Sequence, residues 1–152
     1  MGVVRILPIT ISGDKRIHGQ AWRCDIRERD IHRGGNSFQV TIKDLTRNEA
    51  YTVTGSVSGA LLSSAECILE RPTVNGQLTA LANFGTAYFG QDYTGVTGTC
   101  YATVGGSTAA FGNYPSTVEI VMTTYNGKIL AQPSTLTSDG SSFTVTYVSS
   151  GK

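Results

Sequence analysis

The sequence predicts an all-β domain, an antiparallel sandwich of two packed sheets. Short segments alternating Val, Ile, Thr, Tyr and Phe with polar residues recur along the chain from about residue 35 onward. Turns carrying Gly, Asn and Ser separate them at the spacing of a sandwich. The length, 152 residues, suits one domain able to bury a core of its own.

Val3 to Ile11 reads as a strand that Pro8 pushes toward a sheet edge, and Ser12-Gly13-Asp14 as a turn. From Lys15 to Gly35 neither a helical stripe nor an alternation holds, and the stretch reads as a solvated, irregular arm. Order begins at Gly34-Gly35-Asn36. Phe38, Val40 and Ile42 alternate with polar residues, Thr46 to Glu49 turns, and Tyr51 and Val53 alternate again: a hairpin, half-buried on its Phe/Val/Ile side. The run Ser63 to Pro72 reads as a strand, ended by proline. The Asn75-Gly76 turn follows, then a strand from Leu78 to Phe89 in which Gly85 marks a bulge or a close backbone approach. Val96 to Val104 is a Thr-rich strand and Gly105-Gly106-Ser107 a loop. Val118, Ile120 and Met122, with Val121 between them, are apolar on both faces and predict a central strand. The Tyr125-Asn126-Gly127-Lys128 turn leads to a returning strand, Ser138 to Ser141 turns again, and Phe143, Val145 and Tyr147 close the domain.

Charge is uneven. Seven of the twelve Lys and Arg lie before residue 35, whereas between Arg71 and Lys128 the formal charges are Asp92 and Glu119 alone. A net charge of +1 argues against an electrostatic nucleic-acid binder. Met1 to Ile11 is too short for the apolar region and cleavage site of a signal peptide, and no membrane span is evident. The three cysteines, Cys24, Cys67 and Cys100, have no metal-ligand spacing and leave the disulfide pairing open; no cofactor or metal is expected.

Chemistry concentrates in Ser63 to Pro72. In a strand, Glu66, Ile68 and Glu70 share one face and Cys67 and Leu69 the other. Two carboxylates four residues apart lie about 13 Å apart between Cα atoms. That is too far for a pair sharing one proton and wide for a glycosidase pair. A carboxylate that works here needs a partner of another kind. His18 and His32 both lie in the irregular arm, so no Ser-His-Asp or Cys-His arrangement is indicated.

Ser64-Ala65-Glu66-Cys67-Ile68-Leu69-Glu70-Arg71-Pro72, followed after a loop by Leu81-Ala82-Asn83-Phe84-Gly85, resembles the signature of the glutamic peptidases (eqolisins), approximately Ala-Glu-Trp-Ile-Val-Glu and then Ala-Asp-Phe-Gly. The hairpin upstream and the closing hairpin from Asn126 to Val148 are similar as well, and the likeness runs from about Gly35 to Val148. The resemblance implies a concanavalin-like antiparallel sandwich and an acid-acting, extracellular endopeptidase with a protein or peptide substrate. It implies that Glu70 is the general base, with Glu66 beside it in support, and that a glutamine amide stabilises the oxyanion. The chain departs from the pattern at Cys67, which stands for Trp, and at Asn83, which stands for Asp. The family's tryptophan-rich amino-terminal strands and its Leu-Gln-Thr-Gly glutamine are not recognisable; Gln20 and Gln39 are the upstream glutamines.

The expected organisation is therefore residues 1–34 as a basic arm or replaced strands and 35–152 as a peptidase-like sandwich, incomplete on its amino-terminal side. Activity is expected to be weakened or lost, and exposed strand edges to favour self-association. Two other classes fit the same elements. One is a non-catalytic, lectin-like binding sandwich using Tyr93, Tyr101, Asn113 and Tyr114. The other is a structural remnant whose open edge recruits a partner strand.

Overall fold

The computed structural model describes residues 37–44, 48–59 and 64–151. The expected strand at Val3 to Ile11, the irregular stretch that follows it, His18, Gln20, Cys24 and His32 lie outside the described residues. The chain divides into two units, Met1–Ala65 and Glu66–Lys152.

In the first unit, β1 (Ser37–Asp44) and β2 (Glu49–Ser56) form the expected antiparallel hairpin, with Val40 opposite Val53 and Ile42 opposite Tyr51. Its half-buried face is not found on β2, every residue of which is exposed. Among the described residues β2 pairs with β1 alone, and a two-stranded ribbon supplies no second layer of its own.

The second unit is built from short antiparallel pairs. β3 (Thr73–Val74) and β4 (Gln77–Leu78) are joined by Asn75 and Gly76, with φ of 50° and 75°. Two successive positive φ values make the primed hairpin turn that the Asn-Gly signal predicts. β5 (Thr86–Phe89) leads through Gly90 into the four-residue helix α1 (Gln91–Thr94). β6 (Tyr101–Val104) and β7 (Ser107–Ala110) pair through Gly105 and Gly106, both at positive φ, so the stretch read as a plain loop is a second two-residue hairpin turn. A 3-10 turn at Phe111–Asn113 follows. β8 (Met122–Thr123), β9 (Ile129–Pro133) and β10 (Phe143–Tyr147) join β5 in a four-stranded sheet ordered β5-β10-β9-β8.

Alternation along this sheet places the core. Phe143, Val145 and Tyr147 of β10 point one way, and Phe89 and Ala87 of β5 stand opposite Phe143 and Val145. Phe89 stacks on Phe143 at 4.8 Å between ring centroids, and Phe84 meets Tyr147 edge-on at 6.0 Å. Leu81, Leu130, Ala131 and Val145 are buried beneath them, with Leu69, Met122 and the aromatics packed around.

Two strand expectations are corrected. Leu78 to Phe89 is not continuous: the Asn83 side chain accepts a hydrogen bond from the Gly85 N–H (3.0 Å), and Gly85 turns at φ 67°, so β5 begins only at Thr86. The segment predicted to be central lies last in the sheet among the described strands. Only Met122 and Thr123 pair, across an irregularity in register, and Val118 and Ile120 are 71% and 73% exposed. Apolar residues on both faces predict burial only where a strand has neighbours on both sides, and among the described residues β8 has a neighbour on one side.

The turn between β9 and β10 is closed by polar groups. Asp139 accepts from the Ser141 hydroxyl (2.7 Å), the Thr137 hydroxyl (2.7 Å) and the Ser141 N–H (3.0 Å). These bonds favour the ionised carboxylate, and the Ser141 hydroxyl contributes most, so its pKa falls from 3.8 to about 2. The stabilisation is complete above pH 3.8 and is lost as pH falls through about 2. Asp139→Asn is therefore expected to lower Tm most at pH 5–7, with the gap closing as both proteins are taken to pH 2. Paired thermal melts across that range check it, and a gap that widens toward pH 2 contradicts it.

Candidate active site

The segment 64–72 is not a paired strand. No ladder partner is present for it among the described residues, which corrects the expectation of a sheet strand at this place. Its alternation nevertheless holds. Glu66, Ile68 and Glu70 are exposed, whereas Cys67, Leu69 and Arg71 are half-buried. The two carboxylates thus share the solvent side, as the period of two requires.

The inward side is anchored three times. Cys67 is disulfide-bonded to Cys100, 33 residues away, with the Cα atoms 5.8 Å apart. Leu69 packs on the core of Leu81, Leu130, Ala131 and Val145. The Arg71 Nε–H donates to the Thr79 carbonyl. Beyond it, the Pro72 carbonyl accepts from the Thr79 N–H (3.1 Å) and hydroxyl (3.0 Å) and closes the β3–β4 hairpin. Glu70 stands between two of these anchors, and no hydrogen bond to its carboxylate comes from a described residue. A solvent-exposed carboxylate on a restrained backbone can accept a hydrogen bond from a water.

The far end of the disulfide is fixed independently. Cys100 is 5% exposed, holds a left-handed φ of 56°, and accepts from the Phe111 N–H (3.0 Å) at the base of the β6–β7 hairpin. The Tyr114 hydroxyl lies 2.8 Å from the Ala102 carbonyl and 3.0 Å from the Ser107 carbonyl, and so ties the 3-10 turn to both strands. Tyr114 is thereby occupied in structure, and Tyr101 is half-buried. Of the aromatics assigned to a lectin-like site only Tyr93 remains outward, tilted against Tyr88 at 5.6 Å.

The glutamine expected beside the carboxylate is not identified. Gln39 lies on β1, where the backbone alone is described, and Gln20 lies outside the described residues. No group of three or more His, Cys, Asp and Glu among the described residues is placed to hold a metal ion. The sequence had no signal that pairs Cys67 with Cys100, because three cysteines at wide spacing leave each pairing open.

No curated protein matches the sequence. Among solved structures, aspergilloglutamic peptidase from Aspergillus niger is similar, with a TM-score of 0.61 and 29% sequence identity over 90% of this chain and 71% of that one. The fold is thus the antiparallel sandwich of a glutamic peptidase. The sequence profile of the Peptidase A4 family matches residues 31–147, which include the Glu66–Glu70 segment, the disulfide and the whole four-stranded sheet. The order of hairpins, the anchored carboxylate segment and this match agree: the chain belongs to the Peptidase A4 family and is glutamic-endopeptidase-like.

Proposed function

We propose that the chain is an acid-acting, secreted endopeptidase of low turnover in which Glu70 is the general base. The observation that carries this is the exposed Glu70 carboxylate on a segment pinned by Cys67, Leu69 and Arg71. Glu70 takes a proton from a water whose oxygen forms the new bond to the scissile carbonyl carbon. As the C–N bond breaks, the same carboxyl hands that proton to the leaving amine. Glu66, on the same side of the segment, supports the charge distribution around the water. Neither Gln20 nor Gln39 stands in the sequence setting of the family's glutamine, and absence of one oxyanion donor lowers the rate by about 10²–10³. That loss is the reason for expecting slow turnover.

Two features support the acid and extracellular parts of the reading. The Asp139 clasp keeps its charge down to about pH 2, so the turn between β9 and β10 holds where most carboxylates are neutral. The Cys67–Cys100 bond is of a kind that persists in oxidising compartments. A protein or peptide chain is the substrate. With a net charge of +1 nucleic acid is not a partner, and the edge at β8 that no described strand covers, with the exposed Val118 and Ile120 beside it, favours pairing with a second copy.

The test is cleavage of a denatured protein at pH 3–4 by the wild-type chain, with Glu70→Gln as control. Slow cleavage that vanishes in the variant is expected, and equal cleavage by both removes Glu70 as the base. Self-association is checked by sizing over a concentration series: Ile120→Lys, which places a charge beside the open edge, is expected to shift the chain toward monomer.

A further inference from the structure

We propose that the Cys67–Cys100 disulfide is the positioning element of the Glu70 carboxylate, serving where an ordinary strand would rely on ladder hydrogen bonds. The proposal rests on the reading of Glu70 as the base. An unpaired extended segment has many backbone states close in energy, because nothing but its side chains restrains it. From Cys67 to Glu70 no backbone hydrogen bond to another described residue holds the chain. The alternation of exposed and half-buried residues must then be enforced from the inward side chains. Of the three inward anchors, Leu69 is a contact that slides along apolar surface, and Arg71 is a long side chain with several rotatable bonds. Among the described residues, the disulfide is the covalent tie of the segment, to a Cα 5.8 Å away.

The anchor itself is rigid. Cys100 is buried, takes a left-handed conformation that few non-glycine residues adopt, and is bonded through its carbonyl to Phe111 across the base of a closed hairpin. Cys67 therefore transmits the position of the β6–β7 hairpin to the segment three residues before Glu70. Position 67 is also where the chain departs from the aromatic residue of the family pattern. An aromatic there would hold the segment by packing, and this chain holds it by a covalent bond.

Cys67→Ser and Cys100→Ser test the proposal, each assayed below its own melting midpoint by acid cleavage and by NMR backbone order parameters. Both variants, and the double variant to the same extent, are expected to lose about 10²-fold in kcat with KM changed less than about 2-fold, the cost of a reacting group misplaced by about 1 Å. Backbone order parameters at residues 66–71 are expected to fall while those of β5, β9 and β10 stay at the value of rigid backbone, about 0.85. Asp139→Asn loosens the turn between β9 and β10 without touching the disulfide or its hairpin, and it is expected to lower Tm while leaving kcat in place. Three results overturn the proposal: lower order parameters at 66–71 with kcat retained, unchanged order parameters at 66–71, or a kcat loss in Asp139→Asn equal to that of the serine variants. If the serine variants lose their cooperative transition, the bond is opened in the wild-type chain by a dithiol in native buffer. That yields two thiols for alkylation and the cyclic disulfide of the reagent, and the same readouts apply. Absence of acid cleavage by the wild-type chain removes the assignment of Glu70 as base. The order parameters at 66–71 then decide by themselves whether the disulfide positions the segment.

Discussion

Glu70→Gln is expected to reduce acid cleavage by about 10²–10⁴-fold, the range that a positioned acid–base group contributes. The substitution keeps the size and shape of the side chain and removes its ability to take a proton, since an amide does not accept one at pH 3–4. Glu70 is exposed and makes no hydrogen bond to a described residue, so the unfolding free energy is expected to stay within the change of an ordinary surface substitution, about 0.5 kcal/mol. Loss of activity with stability intact separates a chemical role from a structural one. Glu66→Gln is the companion experiment. Glu66 lies on the same side of the segment but two pleat repeats away, about 13 Å between Cα atoms, too far for both carboxylates to hold one water. Its loss is expected to cost less than about tenfold, chiefly through KM. A deficit as large as that of Glu70→Gln would mean that the two carboxylates lean together, and the single-base mechanism would be wrong. Steady-state kinetics on a peptide substrate, with thermal melts of the same preparations, check both.

The local code in this sequence is strong wherever a turn sets it. Asn75-Gly76 gives a primed hairpin turn as expected. Asn126-Gly127 also closes a hairpin, but Gly127 alone takes positive φ (83°) and the Thr124 N–H donates to the Lys128 carbonyl (2.8 Å), so three residues make the loop rather than two. The alternation of Phe143, Val145 and Tyr147 correctly places β10 with one face in the core. What the pattern does not specify is pairing. Among the described residues, 66–70 alternate like a strand and have no ladder partner, and 118–121 look central and lie beside a strand that pairs on one side. Alternation describes which side chains can share a face, whereas pairing depends on what other segments bring alongside. The position of Glu70 was legible because alternation sets its side. Its anchorage was not, because a disulfide joins residues 33 apart through a cysteine in a left-handed conformation that no nearby residue announces.

Glycine illustrates the same limit and gives the largest expected effect on stability. Gly85 was singled out by sequence as a bulge or a close approach. It takes φ 67°, but a Cβ built there meets nothing within 4 Å. Gly90 was not singled out, and it is the close approach. A Cβ there would lie 2.1 Å from the Ser141 carbonyl oxygen and 2.5 Å from the Ser142 Cα, both backbone atoms of residues with no exposed surface. No rotamer change relieves such a contact. The Gly90 carbonyl accepts from the Thr94 N–H (3.0 Å) and the Asp92 N–H donates to the Ser142 hydroxyl (3.0 Å), so moving Gly90 away breaks the start of α1 and its tie to the Asp139 turn together. Its φ of 90° and ψ of 171° also fall in a region that essentially only glycine occupies, at a cost of about 1–3 kcal/mol for other residues. Overpacking adds about 1–3 kcal/mol or more. Gly90→Ala is accordingly expected to destabilise by on the order of 3–5 kcal/mol, a large share of the 5–15 kcal/mol typical of a domain. Tm is expected to fall by more than about 12 °C, if the chain folds at all. Gly85→Ala carries only the penalty of positive φ, about 1–2 kcal/mol. Two glycines with positive φ therefore predict different outcomes, and the difference combines the close contact at Gly90 with its more restricted backbone conformation. Equal losses in the two variants would mean that Ser141 and Ser142 yield to the added methyl. The rigid clasp around Asp139, and with it the structural argument for folding in acid, would then be wrong.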